Sequence, residues 1–299
     1  MFCETAMDLT RRHLLAGLGA VACAGPAWTG PAWAGTGPRF ASLDHGLAQT
    51  LIALGADLTA IAQLPYWDIW TVEPPLPPGA ANLGLAREPN MESLARLAPD
   101  LILSTPYLEG VRHQLELVAP VESFPIHALG TSPWPNILAA TRRLGTLSDR
   151  EAAADRLIVD TEAELARIRD RLTRLPELPI VPLHFVDTRH VRIYGDNGII
   201  QDTLDRLDLR NGWSGPTNAW GFATAGIERL VEIGDARVLV FDPVPPDVEA
   251  TLAGSPLWQG LPFVREGRMR RFPNVAAFGT LPAATRLARL LESFERDHA

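Results

Sequence analysis

The chain has 299 residues, 46% hydrophobic and 21% charged, which is enough apolar material for a sizeable core and too little charge bias for wholesale disorder. Acidic residues outnumber basic ones 35 to 27, for a formal charge of −8, and all 27 basic residues are arginine. A net acidic, lysine-free chain excludes a general nucleic-acid binder, which needs a basic face, and 26 Pro and 24 Gly placed mostly singly exclude collagen-like and low-complexity classes.

Thr10-Arg11-Arg12-His13-Leu14-Leu15 is a twin-arginine pattern, followed by a small and apolar run over residues 16–24. Ala32-Trp33-Ala34 supplies the small side chains that fit a signal peptidase, so residues 1–34 are predicted to be a signal peptide for export of the folded protein to the periplasm. The apolar run is too short to span a membrane, and no later stretch reaches the roughly 18–20 apolar residues required. Ala20-Val21-Ala22-Cys23 offers a second processing site, at which lipidation of Cys23 would tether the protein to a membrane. Cys3 and Cys23 are the only cysteines, so cleavage after Ala34 leaves a chain without disulfides, thiolate metal sites or a cysteine nucleophile. Gly17-Leu18-Gly19 lies inside the same segment with no strand before it, and is no dinucleotide loop.

Two stretches of the remaining chain read alike. Met91-Glu92-Ser93-Leu94-Ala95-Arg96-Leu97 leads through Ala98-Pro99-Asp100 into Leu101-Ile102-Leu103, and Ile227-Glu228-Arg229-Leu230-Val231-Glu232-Ile233 leads through Gly234-Asp235-Ala236 into Val238-Leu239-Val240-Phe241. Each is a short amphipathic helix, a polar turn and an apolar run of strand length, a repeat that implies buried parallel strands covered by helices. Between them, Leu157, Ile158, Thr161, Leu165, Ile168, Leu172 and Leu175 form one apolar stripe at spacings of three and four. The pattern predicts a helix opened by Ser148 and Asp149 and stopped by Pro176 and Pro179, a rod of about 40 Å. Its outer face, with Glu162, Arg167, Asp170 and Arg171, reads as solvated and weakly paired. The expected fold is therefore two α/β lobes, 35–147 and 177–299, joined by one long helix over 148–176. A rigid strut of this kind resists large closure, so the ligand should occupy a largely preformed cleft, on loops near residues 66–90, 104–110, 211–224 and 273–280.

Catalytic constellations are missing from those loops. There is no G-x-S-x-G and, without lysine, no phosphate-binding P-loop. His13, His45, His113, His127, His184, His190 and His298 never pair locally, so no protein-built metal site is indicated and each reads first as a structural or surface side chain. The loops carry aromatics instead: Pro65-Tyr66-Trp67-Asp68-Ile69-Trp70, Ser104-Thr105-Pro106-Tyr107 and Thr217-Asn218-Ala219-Trp220-Gly221-Phe222. Such side chains offer flat apolar area with a hydrogen-bonding edge, suited to an amphipathic small ligand. Arg87 is placed to present a planar fork of donors to paired oxygens. The bland alternative has the tryptophans plugging lobe cores and Arg87 pairing with Glu88.

Trp70-Thr71-Val72-Glu73-Pro74-Pro75-Leu76-Pro77, Gly84-Leu85-Ala86-Arg87-Glu88-Pro89-Asn90, Thr217-Asn218-Ala219-Trp220-Gly221 and Pro256-Leu257-Trp258-Gln259-Gly260-Leu261-Pro262-Phe263-Val264-Arg265 resemble the ferric-hydroxamate-binding proteins of bacterial siderophore uptake (FhuD type). The similarity spans nearly the whole chain. It implies a periplasmic receptor, not an enzyme, with two lobes on a long helix, delivering an iron(III)-siderophore complex to an inner-membrane ABC permease. The siderophore would fill the iron's coordination sphere, so no metal ligand and no intrinsic cofactor are expected from the protein, and a monomer is expected. By motif match Arg87 and Tyr107 would hydrogen-bond hydroxamate oxygens, and Trp70 and Trp220 would wall the pocket. Trp213 and Asn218 fall at nearby lining positions. Glu109 and Glu228 match lobe-tip glutamates that dock on the permease. The sequence departs from the family at Phe222, where a serine is usual, and at Ala276 and Ala277, where aromatics are usual, although Phe278 keeps one. Those changes suggest a wall widened at the alanines and narrowed at Phe222. A receptor for another chelate, such as haem or a corrinoid, and a secreted siderophore hydrolase are the competing readings.

Overall fold

In the computed structural model, residues 37–173 and 175–297 are described; the expected twin-arginine signal, Cys23 and the expected cleavage site after Ala34 lie outside them. The first lobe carries β1 (Arg39–Ser42), α1 (His45–Leu54), β2 (Asp57–Ile61), β3 (Ala81–Asn82), the hairpin strands β4 (Gly84–Leu85) and β5 (Glu88–Pro89), α2 (Met91–Leu97), β6 (Leu101–Ser104), α3 (Arg112–Leu115), β7 (Val121–Ser123) and α4 (Trp134–Leu147). Its main sheet has the order β3-β2-β1-β6-β7 and is parallel throughout. After α5 (Glu151–Arg169) come β8 (Ile180–Phe185), β9 (His190–Tyr194), α6 (Ile199–Arg206), β10 (Phe222–Gly226), β11 (Arg237–Phe241), α7 (Pro246–Ala253), α8 (Pro256–Gly260), α9 (Pro262–Arg265), β12 (Met269–Phe272) and α10 (Leu281–Asp297). The second sheet, ordered β10-β9-β8-β11-β12, is mixed rather than purely parallel. Only four residues separate β8 from β9, too few for a crossover, and Asp187 closes their turn by accepting from the Arg189 and His190 amides at 2.7 and 2.8 Å. The chain is thus two α/β lobes on a linking helix, and we propose 35–147, 148–176 and 177–299 as its partition.

The linking helix is shorter than its apolar stripe. Ser148 closes α4, its hydroxyl donating to the Leu144 carbonyl at 2.6 Å, and Asp149 turns the chain at φ 54°. Gly145 lets α5 come close there, since a Cβ would stand 2.6 Å from that of Ala154. At the far end α5 stops at Arg169, about 28 Å from its start. Leu172 and Leu175 are still buried, but in a turn whose Thr173 and Leu175 amides donate to Glu295 of α10, both at 2.9 Å. Nor is the outer face of α5 merely solvated. Arg167 grips the buried Glu292 of α10 with two bonds of 2.7 and 3.0 Å, Arg171 adds a third at 3.2 Å, and Glu164 bonds Arg167 and Arg289. The hydrogen bond from Arg167 holds the Glu164 carboxyl down to about 2. The last helix is a second strut beside the first.

Burial follows the alternation of the strands. Ala41, Ala60 and Ile102 face an outer core in the first lobe, and Val181, Leu183, Val191, Ile193 and Val238 face one in the second. The opposite faces meet in a single shared core, in which Phe40, Leu58 and Leu103 of the first sheet and Tyr194, Leu239 and Phe241 of the second pack through α1, α4, α5, α6 and α10. A core common to both lobes opposes hinge motion more strongly than one helix would, because opening it exposes apolar surface at roughly 25 cal/mol per Å². No helix among the described residues is long and apolar enough to cross a membrane.

Candidate functional site

Arg87 stands at the tip of the two-residue turn between β4 and β5, where Gly84 at φ 75° starts the reversal. Its guanidinium lies 4.0 Å from the ring centre of Tyr107 and makes no ion pair with Glu88. Tyr107 sits in the 3-10 turn Pro106–Val111 directly after β6 and is 54% exposed. Its ring meets Trp220 of the second lobe edge to face, 5.3 Å between centres. An arginine, a tyrosine and a tryptophan are so arrayed across the mouth between the lobes. The Asn218 side-chain oxygen accepts from the Trp220 and Phe222 amides at 2.9 and 3.3 Å, so this residue shapes the loop that presents the tryptophan.

Trp70, 43% exposed, belongs to the helical turn Trp67–Thr71. Buried Trp67 anchors that turn through a 2.9 Å bond from its indole N–H to the Pro74 carbonyl, and Val72 holds a left-handed φ of 66°, a conformation β-branched residues rarely adopt. Asn274 of the second lobe donates to the carbonyls of Ile69 and Trp70 at 2.7 and 3.0 Å. Its oxygen is thereby left to accept from His184 Nε2 at 2.8 Å. His184 is buried and neutral, its pKa pushed down to about 4 by desolvation, so Nδ1 accepts from the Tyr194 hydroxyl at 2.8 Å. Burial raises Tyr194 to about 12, opposed by the charge of Arg192 and a hydrogen bond from it. A directed chain of donors therefore runs from Tyr194 through His184 and Asn274 to the backbone of Trp70. The Trp70 ring packs on His184 with centres 5.6 Å apart.

Arg192, Tyr194 and His184 share one sheet face, Arg192 standing opposite His184 on β8 and Thr224 on β10, and Tyr194 opposite Phe222. The Arg192 guanidinium lies 4.4 Å from the Phe222 ring centre and 5.9 Å from that of Phe278. Those two rings are 5.8 Å apart, and His127 of the first lobe meets Phe278 edge-on at 6.3 Å. Burial lowers the His127 pKa against the pull of Asp44, and its Nδ1 has no partner among the described residues. No group of three His, Cys, Asp or Glu among those residues is arranged to hold a metal ion.

Residues 41–276 match the sequence pattern of the periplasmic binding protein family. The chain belongs to that family. It is 30% identical over 256 residues to the iron(3+)-hydroxamate-binding protein FhuD of Escherichia coli (strain K12), covering 85% of this chain and 86% of that protein. Its fold superposes with a TM-score of 0.80 on the Vibrio cholerae siderophore-binding protein FhuD bound to Fe3+-Desferal, at 24% identity, over 86% of this chain and 97% of the other. The Staphylococcus aureus FhuD2 with bound ferrioxamine B superposes at 0.69 and 17% identity, over 87% and 98%.

Within this member of the periplasmic binding protein family, Arg87, Tyr107 and Trp220 come together, as do Phe222 and Phe278, and Trp70 joins the hydrogen-bonded chain at the second wall. Trp213 does not line the cleft. It is 6% exposed within the outer core of the second lobe, under Gly215, and its indole nitrogen has no partner among the described residues. Trp67, Trp134 and Trp258 are core residues too. Ala276 and Ala277 do not widen a wall, because they are buried in the shared core beneath the turn that carries Phe278. Arg192, His184 and Asn274 belong to none of the sequence motifs. Their signal was weak but present: His190-Val191-Arg192-Ile193-Tyr194 alternates polar and apolar, so one of its faces had to meet something other than the outer core.

Proposed function

We propose that the protein captures an iron(III)-hydroxamate siderophore between its lobes and hands it to an inner-membrane ABC permease. The observation that carries this reading is Arg87, a guanidinium without a carboxylate partner among the described residues, held over the Tyr107 ring, which itself meets Trp220 edge to face. Hydroxamate oxygens around iron(III) keep partial negative charge and outward lone pairs. A planar fork and a phenol meet such a rim, while tryptophan and phenylalanine faces accept the apolar linkers of the chelate. In this reading the iron keeps the siderophore's oxygens as its entire coordination shell, and the cargo leaves chemically unchanged. In this reading the receptor works as a monomer in the periplasm, reached by the twin-arginine route. On the same reading Glu109 and Glu228, both exposed, face a cationic permease surface. Glu109 is only loosely held by Arg112, at 3.7 Å, and the Glu228 carboxylate curls into the space that Gly226 leaves open.

Titrating the protein with ferrichrome or ferrioxamine B tests the proposal. Six of the eight tryptophans follow residue 34, and saturable quenching of their emission is expected. Absence of quenching by every ferric hydroxamate tried, with haem or a corrinoid quenching instead, would overturn it. Reversing both glutamates to arginine should leave that titration intact and abolish siderophore-dependent growth, because like charges then oppose docking; normal growth would refute the docking assignment.

A further inference from the structure

The geometry points to Arg192 as a second ligand-contacting cation that makes the cleft selective for ferric siderophores carrying net negative charge. The inference rests on the siderophore reading above and narrows it to a ligand class.

The decisive feature is a missing partner. Among the described residues the half-buried arginines are Arg112, Arg167, Arg169, Arg192, Arg206, Arg237, Arg268 and Arg286. Seven of them lie within ion-pair distance of a carboxylate: Glu116, Glu292, Asp170, Asp202, Glu177, Asp235 and Glu73 respectively. Arg192 has none, although the chain has acidic residues in excess, 35 against 27. Its Nε is buried and unpartnered. A guanidinium bears five donors, and this one acts on Tyr194 while the Phe222 and Phe278 ring centres lie 4.4 and 5.9 Å from it. Partial burial of a charge without a counter-charge is unfavourable, so the site is electrostatically incomplete until an acceptor of negative charge arrives.

The position of Arg192 says where that acceptor would come from. The side chain projects from the face of β9 that looks toward the first lobe, the face shared with His184, Tyr194 and Phe222. Its ring neighbour Phe278 is exposed and is itself touched by His127 from the first lobe. Arg87 stands on the opposite wall, likewise without a carboxylate. A neutral tris-hydroxamate would satisfy Arg87 with its iron-bound oxygens and leave Arg192 uncompensated. A chelate with a peripheral carboxylate would satisfy both, the carboxylate taking the second fork in two parallel hydrogen bonds.

Three chelates with one iron core separate charge from shape: ferrioxamine B with its free ammonium, its neutral N-acetyl derivative, and its anionic N-succinyl derivative. Wild-type protein should bind the succinyl form at least tenfold more tightly than the acetyl form, with ferrioxamine B weakest, and the preference should shrink as salt rises. In Arg192→Gln the succinyl-to-acetyl ratio should fall to within about twofold, whatever the affinity for the acetyl form becomes. Arg192→Lys should keep most of the ratio, which a purely structural role through Tyr194 would not predict. A wild-type ratio near one, or the same ratio in Arg192→Gln, overturns the inference while leaving the siderophore reading intact. Failure of all three chelates to bind wild-type protein would instead remove the siderophore reading, and this inference with it.

Discussion

On the first-lobe wall of the cleft, Arg87 and Tyr107 ride on a hairpin tip and a 3-10 turn, exposed, and hold each other mainly by stacking. On the second-lobe wall, Arg192 and Tyr194 stand on a central strand and are wired through His184 and Asn274 into the backbone of Trp70. The difference separates two tasks. On the proposed reading, loop residues of the first kind contribute to ligand affinity and little to folding, because their removal exposes nothing. Strand residues of the second kind fix the distance between the walls, and removing one leaves buried polar groups unpaired.

The sharpest way to break that contrast is Asn274→Ala. The substitution removes two part-buried donors to the Ile69 and Trp70 carbonyls and the buried acceptor for His184. At roughly 1–3 kcal/mol for each unsatisfied buried group, a loss of about 3 kcal/mol in unfolding free energy is expected, read by denaturant titration, together with weaker ligand binding as Trp70 loosens. Unchanged stability would mean that the chain of donors does not brace the lobes.

A second test is acid. His184 titrates at about 4 when folded and near 6.5 when unfolded, because desolvation and the Arg192 charge disfavour its protonated form, against hydrogen bonds to Asn274 and the Asp242 carbonyl and the pull of the Asp242 charge. Between those values the unfolded chain binds more protons, so stability rises with pH there. The His184 contribution is complete above about 6.5 and is lost as pH falls toward 4, in total roughly 3 kcal/mol. His45 and His127, both lowered chiefly by burial, add to the same slope. His184→Gln should flatten the stability profile between pH 4 and 6.5 and leave the part below pH 4, where Glu164 titrates, as it was. A profile with an undiminished slope would show that His184 is already charged in the folded protein.

Arg87→Ala probes the other wall. A charge-assisted hydrogen bond is worth roughly 1.5–3 kcal/mol, so affinity for a ferric hydroxamate should drop about ten- to a hundredfold while the melting temperature of the ligand-free protein hardly moves. Glu88→Ala should change neither, since no ion pair joins the two side chains. Melting that shifts in both variants, with affinity preserved, would restore the view of Arg87 as a structural partner.

The sequence made the first wall far more legible than the second, for a physical reason. Arg87 and Tyr107 lie in strings whose order alone marks a turn or a loop, so local residues carried the information. The bond between His184 and Asn274 spans 90 positions and depends on where the second sheet puts β8 against the shared core, which no local pattern encodes. The same applies to α5. Its stripe of leucines identified the buried side through Leu175, but the end of the helix is set by Glu295, which captures the amides of Thr173 and Leu175 from another helix. Trp213 shows the reverse error. A tryptophan in a glycine-rich loop resembles a ligand wall, yet Gly195 and Gly215 leave the gap that its ring fills.

The smallest effect tests how the first wall holds itself. Tyr107 has two separable parts, a hydroxyl free to reach a ligand oxygen and a ring that supports Arg87 and touches Trp220. Tyr107→Phe keeps the ring and removes one neutral hydrogen bond, about 0.5–1.5 kcal/mol, so affinity should weaken roughly two- to tenfold. Tyr107→Leu also removes the stacking surface, and an exposed cation–π contact is worth about 0.5–1 kcal/mol. If the ring orients the guanidinium, the Leu and Arg87→Ala effects on affinity should fall short of adding, with a coupling of that size in a double-mutant cycle. The Phe variant should show almost no coupling with Arg87→Ala. Strict additivity for both variants would mean that each side chain meets the ligand independently, and that the first wall is two contacts and not a unit.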